Sequence, residues 1–252
     1  ARTAGQEGQD SREARHHLRV TAQQTTSAGG AVWRFVKEIV IILVVALGLS
    51  FLVRTFIVQA FYVPSQSMEN TLMPNDRILA SKLNTRFGGV KRGEIVVFRD
   101  PGDWLDEVQK QSPGGIAGAL EWVGLLPSNT GDDLVKRVIG IEGDHVRCCS
   151  TDGRIVLNGV PLDEPYLKPG STNDDVRFDV TVPQGRIFVM GDNRNQSADS
   201  RYHLNDNQGT VPVGNVVGRV VLTVWPFSAF GTHPIPQVPF DDPRVDQQET
   251  QN

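Results

Sequence analysis

The feature that most constrains this chain is a run of 15 residues, Ile39 to Val53, that carries no charge and has Ser50 as its only polar side chain. A helix apolar on all its faces has to be covered, either by protein or by lipid. Trp33, Phe35 and Val36 precede the run, and Phe56, Ile57 and Val58 follow it. Phe35 to Val58 is then long enough for a bilayer, which takes about 20 residues of helix. Lys37, Glu38 and Arg54 lie near its ends, where long side chains can reach the headgroups. Two other readings are a core helix and a cleaved secretory signal. A cleaved signal offers small residues after its apolar core. Here Arg54-Thr-Phe-Ile-Val follows, so we read 35–58 as an uncleaved transmembrane anchor. Arg19, Arg34 and Lys37 precede the span, and only Arg54 follows it closely. The positive-inside rule then puts the N-terminus in the cytoplasm and the chain beyond about residue 58 outside.

Residues 1–34 are mostly Gln, Ser, Thr, Arg and Gly and read as a disordered cytoplasmic segment, too polar to offset its ordering entropy. Beyond the anchor the pattern is mainly β. Short runs rich in Val, Ile and Phe alternate with turn residues: 77–81, 94–98, 135–141, 145–149, 154–157, 177–182, 186–190 and 218–225. Asn158-Gly159 is a strong hairpin signal. Gly and Pro together number 40, in keeping with many turns. The stretch from Gly102 to Asp133 interrupts the series with a possible short helix, Ile116 to Leu126, suited either to a groove or to a membrane surface. Residues 231–252 read as a loose tail. A net charge of −4 argues against a nucleic-acid partner. The two cysteines, Cys148 and Cys149, are too few for a four-cysteine zinc site. Being adjacent, they are expected as free or conditionally oxidised thiols.

Three segments could carry chemistry: Val63-Pro-Ser-Gln-Ser-Met-Glu-Asn-Thr-Leu72, Asp132 to Gly140, and Met190 to Tyr202. Lys136 sits among Leu134, Val135, Val138 and Ile139. If its amine faces inward, desolvation lowers its pKa. A serine needs a base to attack at neutral pH, and a desolvated lysine is one such base. The required shift of about 3 units lies within what full burial supplies. His145, His203 and His233 are the competing bases, none in so specific a context.

Together the three segments resemble bacterial type I signal peptidases, which use a Ser-Lys dyad. PSQSMENTL, RGEIVVFRDP (Arg92 to Pro101), LVKRVIGIEGD and MGDNRNQSADSRY occur in that family's order, directly after an anchor. The resemblance implies Ser67 as nucleophile and Lys136 as general base. It implies an oxyanion hole from the Ser65 hydroxyl and the Ser67 N–H, and Ser197 as the residue orienting the lysine. Asp192, Arg194, Asp199 and Arg201 would form a supporting charged network. Phe61, Val63, Met68, Leu72, Leu134 and Val135 would surround small substrate pockets. The implied fold is the β fold that signal peptidases share with self-cleaving repressors. Its catalytic core would span 59–143 and 186–230, with a β subdomain, 144–185, inserted. The implied substrates are secretory preproteins cut after Ala-x-Ala-like sites, with the bilayer as a second partner and no metal or cofactor. A soluble Ser-Lys repressor is disfavoured by the apolar span. A binding protein with an idle dyad is disfavoured by the retention of Ser65, Ser67, Lys136 and Ser197.

Overall fold

β-Branched and aromatic residues punctuated by Gly, Asn and Asp turns build two antiparallel sheets after one long apolar helix. The structure is a computed structural model that describes residues 28–83, 88–102, 104–105, 132–173 and 176–246. The expected helix at Ile116 to Leu126 lies outside these residues.

Helix α1 is Ala28–Phe56. Within it, Val32–Leu52 is a 21-residue stretch of mean hydropathy 2.5, none of it buried in protein. At about 1.5 Å per residue it is roughly 30 Å long, the thickness of a hydrocarbon core. Both expected boundaries shift. The helix begins at Ala28, inside the segment read as disordered, because extending an existing helix is far easier than nucleating one. It ends at Phe56 instead of reaching Val58. Val58–Tyr62 becomes strand β1, paired antiparallel and residue by residue with Arg77–Ser81.

The larger sheet contains β1 (Val58–Tyr62), β2 (Arg77–Ser81), β3 (Ile95–Arg99), β4 (Asp133–Ile141), β9 (Arg186–Met190), β10 (Val211–Pro212), β11 (Val216–Trp225) and β12 (Gly231–Thr232). Its order is β1-β2-β11-β3-β4-β9-β10, with β12 on β11. Register shifts in β11 between Val220 and Leu222, and between Thr223 and Trp225, mark bulges. Bulges sharpen the twist of a strand. The Val221 carbonyl accepts from the His233 N–H.

The smaller sheet has the order β7-β6-β5-β8, from β5 (His145–Cys148), β6 (Ile155–Leu157), β7 (Val160–Pro161) and β8 (Phe178–Thr181). Asn158 and Gly159 both have positive φ, 50° and 81°, and close the β6–β7 hairpin. That is the backbone an Asn-Gly turn favours. The buried core of this sheet, including Val146, Ile155, Leu157, Phe178 and Val180, is continuous with Phe188 and Met190 of β9.

Two further expectations are corrected. The C-terminal segment to Asp246 is no loose tail. Phe240 and Val245 are buried in the core of the smaller sheet. Asp246 pairs with Arg92, and Asn158 donates to the Val245 carbonyl. Two apolar anchors within a polar, proline-rich stretch are enough to dock it. Cys148 and Cys149 are joined in a disulfide. Both sulfurs lie near the Asn173 carbonyl oxygen, at 3.1 and 3.7 Å.

Candidate active site

β1 runs through Val63 into a tight turn that carries Ser67. In that turn the Met68 carbonyl accepts from the N–H groups of Thr71 and Leu72, and Met68 and Leu72 are buried beneath it. The turn is held from the far side by the segment after β9. The Asn193 N–H donates to the Ser67 carbonyl at 3.0 Å, and the Asn193 side-chain amide donates to the Gln66 carbonyl at 3.0 Å. Gly191 is required at the contact. A Cβ there would lie 2.4 Å from the Ser67 carbonyl oxygen and 2.3 Å from Ser197 Oγ.

Lys136 reaches the same point from β4. Its Nζ donates to Ser67 Oγ at 2.6 Å, and the side chain is 3% exposed. Burial pulls the amine from its ordinary 10.5 down to about 8; Asp199 and Asp192 resist that shift and Arg201 adds to it. Ser65 Oγ is 3.1 Å from Ser67 Oγ. A buried nucleophile and a buried base of depressed pKa therefore meet, with the hydroxyl of the exposed Ser65 beside them. A buried amine that is neutral for a sizeable fraction of the time can take the proton of a serine hydroxyl.

The charged residues form ion pairs that backbone groups link together: Arg201 also donates to the Arg194 carbonyl at 2.7 Å, and Arg194 to the Gly191 carbonyl at 3.0 Å. Asp199 accepts from Arg201 Nε at 2.8 Å and from the Gly191 N–H at 3.0 Å. Burial pushes the Asp199 carboxyl up, but its bonds from Arg201 and Gly191 outweigh this and hold it below the usual range. Asp192 takes a two-pronged bond from Arg137, at 2.8 and 2.6 Å. Arg194 pairs with Glu164 of the smaller sheet's connections and also donates to Asn173. Sequence reasoning missed Arg137, Glu164, Asn193 and Gly191. An arginine next to Lys136 in an otherwise apolar strand was the available signal for the first.

Ser197 is buried over Gly191, against Asp199, and does not reach Lys136. The expected hydrogen bond to the lysine is thus not formed. Phe61, Val63, Met68 and Leu72 are buried in one cluster, with Val135 packed against it. Leu134 packs instead with Val96, Phe98 and Trp104. Successive strand residues point to opposite faces, so Leu134 cannot share a pocket with Val135. The competing histidines are engaged elsewhere. His145 meets Asp179, His203 stacks on Trp104 at 4.3 Å, and His233 is 2.8 Å from Thr223 Oγ1. Among the described residues no three of His, Cys, Asp and Glu converge to hold a metal ion.

The sequence profile of the family described as signal peptidase, peptidase S26, matches residues 33–225. The chain belongs to this family. Membership makes it a serine endopeptidase of the signal peptidase I kind. A probable signal peptidase I of Mycobacterium leprae is 40% identical over 233 residues, covering 80% of this chain and 78% of that one. Signal peptidase I of Mycobacterium tuberculosis is 39% identical over 220 residues, covering 77% and 74%. Signal peptidase IB of Staphylococcus aureus is 30% identical over 210 residues, covering 77% and 91%. Such relatives, with α1, associate this signal peptidase family member with membranes.

Proposed function

We propose that this chain is a membrane-anchored endopeptidase that removes N-terminal signal peptides from secretory preproteins, cutting after Ala-x-Ala-like sites with a Ser67–Lys136 dyad. The observation that carries the reading is the 2.6 Å bond between Lys136 Nζ and Ser67 Oγ, made by an amine held near 8. At pH 7 such an amine is neutral about a tenth of the time, against about one part in 3,000 for an ordinary lysine. Neutral Lys136 takes the Ser67 proton as the hydroxyl oxygen attacks the scissile carbonyl. The Ser67 N–H and the Ser65 hydroxyl hold the oxyanion. Lys136 then passes its proton to the leaving amine, and next activates the water that hydrolyses the acyl-enzyme. Ser197 acts in this reading through Asp199 and the backbone at Gly191. Asp192, Arg194, Asp199 and Arg201 hold the Ser67 turn in place. Helix α1 spans the bilayer with its N-terminus in the cytoplasm and the sheets outside. It keeps enzyme and substrate in one membrane, raising their effective concentration.

The test is cleavage of a preprotein with an Ala-x-Ala site in lipid or detergent, with products mapped by mass. One cut after the second Ala is expected, lost in both Ser67→Ala and Lys136→Met. A wild type that does not cut, or a Lys136→Met variant that cuts equally well, refutes the reading.

A further inference from the structure

The turn that carries Ser67 is held by the smaller sheet as well. The connection between β7 and β8 runs beside it. Asn70, three residues after Ser67, donates from its side-chain amide to the Tyr166 carbonyl at 2.9 Å and to the Leu167 carbonyl at 3.3 Å. Lys168 pairs with Glu69 of the turn, and the Lys168 N–H donates to the Asp192 carbonyl at 3.0 Å. Glu69 also accepts from the Asn193 amide at 3.2 Å. The hold from the smaller sheet and the hold from the segment after β9 therefore meet on one carboxylate.

The connection is itself anchored. Tyr166 is buried. Its hydroxyl donates to Glu164 at 2.7 Å, and Glu164 pairs with Arg194. The Arg137 guanidinium lies over the Tyr166 ring, 4.1 Å from its centroid. Arg137 directly follows Lys136 in β4. One short piece of chain thus touches both the turn of the nucleophile and the strand of the base. Hydrogen bonds to a loose loop would fix nothing, but bonds to a segment pinned by a buried ring fix the turn relative to β4. Asn70 has a φ of 88°. Asn, Asp and Gly take this left-handed region more readily than other residues. The backbone alone would therefore admit Gly or Asp at this position. Neither a glycine nor an ionised aspartate could donate to the two carbonyls.

From this geometry we infer that Asn70 is a positioning residue for the reaction. By tying the Ser67 turn to Tyr166 and Leu167, it sets Ser67 Oγ against Lys136 Nζ. The β7–β8 connection of the smaller sheet is then part of the catalytic apparatus. The inference rests on the proposed function. Asn70 acts through the turn and not on the substrate, so its loss lowers kcat and leaves KM in place. Misplacement by about 1 Å can cost a hundredfold in rate, and losing one of several holds on the turn is expected to cost about tenfold.

The experiment measures kcat and KM separately on the Ala-x-Ala preprotein for wild type, Asn70→Gly and Asn70→Asp. Rates are taken at a temperature where melting curves show each protein fully folded, so an unfolded fraction cannot imitate a lower kcat. A fall of about tenfold in kcat at nearly unchanged KM is expected in both variants. A residue needed only for its backbone would be replaced by Gly or Asp without loss. Wild-type kcat in either variant, or a loss carried by KM, would overturn the inference. If the Asn70 variants do not fold, Lys168→Glu decides, because it sets like charges against each other at Glu69. A fall in kcat of about threefold or more at unchanged KM is then expected, and an unchanged kcat overturns the inference. If cleavage needs Ser67 while the Asn70 variants match wild type, the inference alone fails. If no Ser67-dependent cleavage occurs, the proposed function fails first.

Discussion

Lys136 is costly to keep where it is. Its pKa is depressed on folding, so the penalty is fully present below about pH 8, where the folded amine must be charged in a buried site. The unfolded chain binds more protons between about 8 and 10.5, so stability rises with pH across that window and the penalty is gone above it. Lys136→Met is therefore expected to melt higher than wild type at pH 7, with a ceiling of about 3 kcal/mol. The gap should close as pH rises past 8. A variant that melts lower at pH 7 would contradict this. Asp192→Ala should do the opposite. It leaves Arg137, 2% exposed, without its carboxylate partner. Breaking one side of a buried ion pair costs about 3–5 kcal/mol, which denaturant titration will detect. Lys136 was legible in the sequence because an amine among apolar residues has few explanations. The pairing of Arg137 with Asp192 was not, since nothing local joins groups 55 residues apart. Nor did the spacing of Asp192, Arg194, Asp199 and Arg201 say that the first two take partners outside their own motif.

At the scale of elements, the turn that carries Ser67 depends on the segment after β9. Gly191→Ala drives a methyl group into the Ser67 carbonyl and Ser197 Oγ, so one of them has to move. Misplacement by about 1 Å can cost a hundredfold in rate. We expect a fall of that order in kcat/KM at a nearly unchanged KM. A Gly191→Ala enzyme of wild-type rate would mean that the contact does not position the nucleophile. Most strands could be read from β-branched runs between turn residues, and the Asn158-Gly159 hairpin from its dipeptide. β1 could not, because Val-Gln-Ala-Phe-Tyr directly follows the apolar helix and continues its hydrophobicity. Only the pairing of Val58 through Tyr62 with Ser81 through Arg77 separates strand from helix.

For the whole molecule, the docked C-terminus and the apolar helix make separate predictions. Phe240 is buried against Tyr166, with ring centroids 6.3 Å apart. Phe240→Ala should cost about 3–5 kcal/mol of stability, as large aromatic deletions in cores do. A free tail would lose nothing. The sequence suggested a tail because prolines and polar residues dominate 231–252, and long-range burial of two apolar residues leaves no periodic trace. The anchor was legible from length and lack of charge alone.

The central claim is that a buried, largely desolvated Lys136 is the base for Ser67. The pH dependence of kcat/KM between about pH 5 and 10, on a preprotein substrate without titrating groups at the cleavage site, tests it most directly. The base works only when neutral, so the rate should rise with pH along a single limb centred near 8. A limb near 6.5 would assign the base to a histidine, and one near 10.5 would mean a solvated lysine. Either result would contradict the account.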